Sequence, residues 1–564
     1  MSGASGQSAA LGKGPHTGAA INSVAKVATN PRLPVALFCA ALVVSGGLLL
    51  ALTSQLTFFL DDWDVLLHRR GFSVAAFFTD HAGHPSMGLV TVYKAIQAIF
   101  GMEDLAPYAV ASTASFLASV ALLFVWMRRR VGDWLALAAT LPLLFLGTGA
   151  EDLLTPFQIG FFVPMACGIG AMLALERRDR RGDAICCALL VVAVCFQTLG
   201  LIWVAAAAVA IGLDRELRAR FWVFAVPAAI YALWYLGWGD SDANQLSFEN
   251  VATAPAYVVD GYASSLSSLL GLAAARDEVA IGALDWGRPL LALAVIGVAA
   301  RLVALGRVPK WFWVVLAAGV VFWFLTAINA TYGRSATTSR YQYVGVILIL
   351  MAAGELGRGW RPNWRVIAIV LAASLAATAA NVAVLRDHYQ MLKAYVPVVR
   401  GSLAGLEIGR DTVDPGLLLD QDNAGFNFFT LVDAGSYLSA VDAFGSPAYS
   451  VDELAEAPTA ARVSADRVTA DALGLRPQAA GSASGCGPPG SAGEVAAVAP
   501  GESIVVRAEG PDAELRLRRY ATGSFPVELG PLAEGEAVEL AFPVDGSSEP
   551  WELELGGTLV RCQS

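Results

Sequence analysis

Residues 34–64 read PVALFCAALVVSGGLLLALTSQLTFFLDDWD. The stretch from 34 to 53 is almost wholly apolar, about the length that crosses a hydrocarbon core of roughly 30 Å. Phe58-Phe59-Leu60 then leads into Asp61-Asp62-Trp63, where a helix leaving the membrane would emerge. Two adjacent carboxylates at that depth mark a functional site by default. The alternative is a solvated loop start with Trp63 as an interfacial anchor.

The 564-residue chain as a whole agrees with a membrane location: 56% of residues are hydrophobic and 15% charged, with a mean hydropathy of +0.56. Such a composition excludes a soluble globular protein. Further apolar segments lie at 105–127, 134–149, 160–175, 184–197, 199–213, 221–239, 286–305, 311–330, 342–357 and 366–385, giving about eleven helices in all. Gln197-Thr198-Leu199-Gly200 splits the region 184–213 into two short helices that meet at the far surface. With that split, every basic cluster falls on one side: Lys13, Lys26 and Arg32, then Arg128-Arg129-Arg130, Arg177 to Arg181, Arg215 to Arg220, Arg301 to Lys310, and Arg358 to Arg365. The rule that short cytoplasmic loops carry the Lys and Arg residues makes that side, and the amino terminus, cytoplasmic. The Asp61 loop, the Glu151-Asp152 turn, a long 240–285 loop, the Tyr332–Tyr341 loop and everything after 385 are then extracytoplasmic, in a multi-pass protein of a plasma membrane.

Residues 1–33, rich in Gly, Ala and Ser, read as a disordered cytoplasmic tail, and 34–385 as the membrane domain. Past 385 the long apolar runs stop and acidic residues outnumber basic ones. Residues 386–479 are expected to be mainly helical, around 389–406 and 452–474. Residues 480–564, after a Gly/Ser/Pro linker, alternate apolar and polar at 503–507, 514–518, 537–540 and 551–555, as half-buried strands of a small sandwich do. Five of the seven cysteines (Cys39, Cys167, Cys186, Cys187, Cys195) sit in apolar helices as small hydrophobes. Cys486 and Cys562 bracket the strands and are candidates for a disulfide in an oxidising compartment. The five histidines form no zinc signature, and no nucleic-acid partner is expected of a chain with net charge −10.

From Asp61 to Trp134 the chain resembles the GT-C superfamily of integral membrane glycosyltransferases, among them protein O-mannosyltransferases and bacterial lipid-A aminoarabinose transferases. The residues that carry the resemblance are Asp61-Asp62 after the first helix, His84-Pro85-Ser86 ahead of a short amphipathic helix, Phe100-Gly101, and a second span ending in Arg128-Arg129-Arg130. Ser86 stands where family members carry a second proline. The likeness extends loosely to arabinofuranosyltransferases of cell-wall biogenesis, which also have an exported carboxy-terminal domain of carbohydrate-binding character. It implies an α-helical polytopic GT-C-like fold and transfer of a sugar from a polyprenyl-phosphate donor to a cell-envelope glycan or lipid-linked acceptor, with inversion.

That chemistry asks for a carboxylate to take the proton of an attacking hydroxyl, and Asp61 holds the position of the family's first acidic residue. Asp62 would orient the acceptor or a cation, with Asp64 a third participant. The departing phosphate needs fixed positive charge. Arg334 and Arg340 supply it from a loop otherwise placed against the charge rule, with Ser339 and Tyr341 hydroxyls as further donors; the other reading of this loop is a lipid-headgroup anchor. Glu151 and Asp152 could join Asp62 in an oxygen site for Mg²⁺ or Mn²⁺, or simply cap a turn. His81 and His84 could bind phosphate or acceptor, or serve as interfacial residues. Arg276, Asp277 and Glu278 read as solvated charges. Two other functions compete: a lipid or glycan transporter or flippase, against which stand spans nearly free of charge, and a non-catalytic membrane scaffold displaying the carboxy-terminal domain.

Overall fold

The computed structural model describes residues 32–214, 218–239, 245–273, 284–331, 333–419, 432–480, 483–488, 491 and 493–563. The amino-terminal tail through residue 31, and Arg276, Asp277 and Glu278, lie outside the described residues.

The apolar segments form a bundle. Helices α1 (Leu33–Thr53), α2 (Met87–Phe100), α3 (Ala106–Val131) and α4 (Asp133–Thr140) are followed by two short turns and the small helix Ala150–Leu154. Then come α5 (Ile159–Leu175), α6 (Arg180–Phe196), α7 (Gly200–Gly212), α8 (Trp222–Trp238), α9 (Phe248–Leu269), α10 (Leu284–Leu305), α11 (Lys310–Ile328), α12 (Ser339–Leu356) and α13 (Trp364–Ile408). Seven helices among the described residues are long and apolar enough to cross a membrane alone, and the bent pair 133–145 with 147–154 makes an eighth. The expected count of about eleven is higher because α6, α7 and α12 are helical but shorter or less apolar. Helix α7, only 13 residues long, is largely buried by its neighbours, so protein rather than its own length shields its ends from lipid.

The expected long loop at 240–285 is corrected: it contains α9, a 22-residue helix. Its inward face is Ser264, Ser265, Ser267 and Ser268, all fully buried, so its mean hydropathy conceals its burial. It starts beside the end of α11, where the Asn250 amide donates to the carbonyls of Ile328 (3.3 Å) and Ala330 (3.1 Å). It finishes where Asn381 of α13 donates to the Ser268 carbonyl across 3.0 Å.

The bundle has two chemically distinct ends. At one, Arg130 pairs with Glu176 and Glu355, Arg178 and Lys310 share Asp214 at 2.8 and 2.6 Å, and Arg220 meets Asp183 at 3.2 Å. At the other lie Asp61, Thr198, Asn329, Arg334 and Arg340. Helices α6 and α7 meet at residues 197–199, which belong to this second end, as the split reading requires.

Helix α13 runs unbroken for 45 residues, about 68 Å at 1.5 Å per residue, far more than a bilayer's thickness. There is no break at 385. Its distal part packs against α14 (Ala434–Phe444) and α15 (Thr459–Ala472). The strands β1 (Gln478–Ala479), β2 (Val495–Val498), β3 (Ser503–Ala508), β4 (Ala513–Arg518), β5 (Val527–Leu532), β6 (Ala537–Ala541), β7 (Trp551–Glu554) and β8 (Leu559–Cys562) form two antiparallel sheets, ordered β1-β6-β3-β8 and β2-β7-β4-β5. Alternation sends Val506, Leu515, Leu517, Leu553 and Trp551 into the core between them. Cys486 and Cys562 are joined by a disulfide.

Candidate active site

Local backbone chemistry shapes the first loop. Leu60 holds φ 48, an uncommon value for a branched apolar residue, and the chain turns there to separate the two carboxylates that follow. Asp62 folds inward, fully buried: its Oδ1 accepts from the Tyr93 hydroxyl (2.6 Å) and its Oδ2 from the Phe59 amide (3.1 Å). Asp61 is left facing a cavity. Further on, His81-Ala82-Gly83-His84 forms a tight hairpin turn, with Ala82 and Gly83 at φ 50 and 80 and reciprocal 2.9 Å backbone bonds between the two histidines. Residues opposed in this way project to the same side, so both imidazoles reach the cavity.

The cavity, about 400 Å³, is lined by Asp61, His81 and His84 on one side and by Arg334, Arg340 and Tyr341 on the other. Its remaining wall combines the amides Gln158, Gln197 and Asn329 with aromatic and aliphatic groups that include Tyr231, Tyr235 and Phe322. Arg340 is steadied by Glu151 at 3.4 Å and the Gly333 carbonyl at 3.1 Å. The Arg334 guanidinium makes no ion pair with a carboxylate among the described residues.

Charges in the first loop are strongly coupled. Burial alone would raise the Asp61 carboxyl, but the hydrogen bond and charge of His81 and the charge of Arg340 outweigh it and hold the group below its ordinary value. Burial disfavours the His81 cation, yet Asp61 and Asp64 together push that imidazole up to about 9. His84 goes the other way: burial, with the positive charges of Arg334, His81 and Arg340, pushes it down to about 4. Its Nδ1 lies 2.9 Å from the Thr198 hydroxyl. Burial pushes Asp62 up to about 7 despite the hydrogen bonds donated to it by Tyr93 and by the Phe59 and Phe157 backbones.

Several sequence expectations are corrected by this geometry. Asp62 does not line the cavity, so it neither orients an acceptor nor offers a free ligand to a cation. The Ser339 hydroxyl donates instead to the Thr148 carbonyl (2.8 Å) and accepts from the Glu151 amide (3.2 Å); it braces the turn and is not a phosphate donor. Asp152 is fully buried with no hydrogen-bond partner among the described residues. Asp62, Glu151 and Asp152 therefore do not converge, and no three His, Cys, Asp or Glu side chains among the described residues are grouped to hold a metal ion. Each was placed by sequence proximity to a loop, which does not fix where a side chain points. Asp64 lies behind Asp61, against His81.

Thr198, Gln197, Asn329, Gln158 and Tyr231 are cavity residues that the sequence did not announce. Their one signal was the Gln197-Thr198 break between two apolar runs, informative about topology but silent about partners. The segment beyond α13 also packs around the first loop: Arg70 donates to the Ser439 hydroxyl (2.9 Å), His68 Nε2 lies 3.9 Å from Asp433, the Met102 amide donates to the Phe444 carbonyl (2.8 Å), and Tyr437 packs edge-on to Trp63. Helix α14 thus backs the acidic loop.

No protein family and no curated protein matches the sequence. The fold is similar to a crystal structure of ArnT from Cupriavidus metallidurans bound to undecaprenyl phosphate, with 12% identity and a TM-score of 0.43, over 75% of this chain and 90% of that one. The chain is a multi-pass helical membrane protein with a carboxy-terminal β-sandwich, and the roles of its residues follow from its own cavity.

Proposed function

We propose that this protein is a GT-C-like membrane glycosyltransferase that moves a sugar from a polyprenyl-phosphate donor to a hydroxyl of a cell-envelope glycan or other acceptor, on the extracytoplasmic face of a bacterial plasma membrane. The observation that carries this reading is a single cavity in which Asp61 faces Arg334 and Arg340 at the end of the bundle opposite the basic clusters. A hydroxyl beside Asp61 gives up its proton to the carboxylate as its oxygen attacks the anomeric carbon. The bond from that carbon to the phosphate oxygen breaks on the opposite face, so configuration inverts. The charge gathering on the departing phosphate is met by the two guanidinium groups, which act strongly because the site is largely shielded from water. Tyr231, Tyr235, Leu201, Ile202 and Phe322 suit an isoprenoid chain, and Gln158, Gln197 and Asn329 suit sugar hydroxyls. The carboxy-terminal domain, backed against the acidic loop by α14, would guide the acceptor.

The test offers purified full-length protein a panel of labelled polyprenyl-phosphate sugars with envelope acceptors, with and without chelator. Transfer from at least one donor, lost in Asp61→Asn, is expected. Folded protein that transfers none would favour a transporter or a scaffold.

A further inference from the structure

Behind Asp61 stand three more charged groups in a row. His81 Nε2 lies 3.6 Å from Asp61 Oδ1, and His81 Nδ1 lies 2.9 Å from Asp64 Oδ2. Arg69 Nε donates to that same Asp64 oxygen across 3.2 Å. Arg69 and His81 are each anchored again. The Arg69 guanidinium, almost fully buried, also donates to the Thr79 carbonyl (2.5 Å) and the Asp80 carbonyl (2.6 Å), and the His81 ring packs 5.0 Å from Phe157. With Asp64 Oδ2 in hydrogen-bond range of Nδ1 and Asp61 Oδ1 in ion-pair range of Nε2, the two carboxylates favour the imidazolium, the form that carries a proton on both nitrogens.

We infer that His81, clamped by Asp64 and Arg69, is a positioning residue whose positive charge, set beside Oδ1, holds Asp61 ionised and leaves Oδ2 to take the acceptor's proton. This rests on the reading of Asp61 as the base. The other groups facing the row are Arg340 and Asp62 beside Asp61, His68 beside Asp64, and the neutral His84 beside His81. None of them offers a carboxylate that could replace Asp64 at Nδ1. Because the two carboxylates push His81 up to about 9, the clamp persists through neutral pH. The acid limb of kcat/KM then falls below the ordinary carboxylate range and the alkaline limb near 9.

The test uses full-length protein in lipid nanodiscs, labelled with ¹⁵N in the imidazole rings, with His81→Gln assigning the His81 signal. His81 should titrate near 9, and in Asp64→Asn its midpoint should fall by more than about one pH unit toward its ordinary value. In transfer assays both variants should raise the acid limb, while His81→Gln abolishes the alkaline limb and Asp64→Asn moves it down together with the His81 midpoint, with kcat about tenfold lower and donor KM nearly unchanged. A merely structural role would leave both limbs in place. A His81 midpoint at the ordinary value, or one unmoved by Asp64→Asn, overturns the inference; Asp64→Asn also keeps the question open to measurement should His81→Gln fail to fold. If no donor is turned over while His81 titrates as expected, the glycosyl-transfer reading fails and the clamp survives it.

Discussion

The Tyr93 hydroxyl donates to Asp62 Oδ1 across 2.6 Å, inside the protein and away from the cavity that Asp61 faces. Adjacent carboxylates of identical chemistry therefore have different work. Asp61→Asn should lower transfer by about 10²–10⁴-fold, the range of a lost general base, without changing thermal stability. Asp62→Asn leaves one acceptor oxygen where two are used, so either the Phe59 N–H or the Tyr93 O–H loses its acceptor. It should destabilise the protein by about 1–3 kcal/mol while leaving activity, measured well below the unfolding temperature, mostly intact. Equal loss of activity in folded samples of both variants would refute this division.

Arg340 is held in place by Glu151, whereas Arg334 makes no ion pair with a carboxylate among the described residues. Replacing either by Gln should weaken binding of a polyprenyl phosphate, through the loss of charge-assisted bonds worth about 1.5–3 kcal/mol each. Glu151→Gln should have a smaller effect that vanishes in the Arg340→Gln background, because its only route to the ligand is that guanidinium. Lipid-phosphate binding measured in detergent for the four proteins closes the cycle. Wild-type affinity in Arg334→Gln, Arg340→Gln or both would remove the phosphate role.

His84 supplies a pH prediction. Its folded value, pushed down to about 4 by burial and neighbouring cations, lies below its ordinary 6.5, so between those values the unfolded chain binds more protons than the folded one. Stability is then full above pH 6.5 and is lost progressively as pH falls through 6.5 toward 4, by at most about 3 kcal/mol. His84→Gln, which can still accept from Thr198, should flatten that slope. Thermal unfolding between pH 4.5 and 7 in both proteins is the measurement, and parallel curves would count against it.

A buried carboxylate is one of the ties between the sandwich and the helical segment, beside the Arg467 guanidinium that donates to the Pro526 carbonyl and the Ala470 and Leu473 side chains in the sandwich core. Asp466 of α15 accepts from the backbone amides of Arg519 (2.8 Å), Tyr520 (2.9 Å) and Ala521 (3.0 Å). Asp466→Ala leaves those donors without partners and should loosen the sandwich from α15, seen as faster proteolysis between the two with the membrane bundle unaffected. Reducing the disulfide that closes a 76-residue separation should cost the sandwich about 2–4 kcal/mol. Proteolysis unchanged by either treatment would show that other contacts hold the domain.

Apolar runs and the placement of arginines were enough to read a multi-pass bundle with two unlike ends, because lipid imposes its demand on every exposed residue and leaves a continuous trace along the chain. Alternation at 503–507 and 551–555 likewise announced strands, since a sheet with one buried face writes its period into the residues. Helix α9 escaped notice because its buried face is serine, whose small polar side chains are invisible to hydropathy. What the residues alone determined was that Asp61, Asp62, Arg334 and Arg340 gather at one end of a membrane bundle. Which of them share a cavity was decided only in three dimensions: a left-handed Leu60 turns Asp62 to Tyr93 and Asp61 to the opening, and an Ala-Gly turn aligns His81 with Asp64. Those outcomes depend on side-chain direction and on partners far along the chain, and spacing in sequence carries neither.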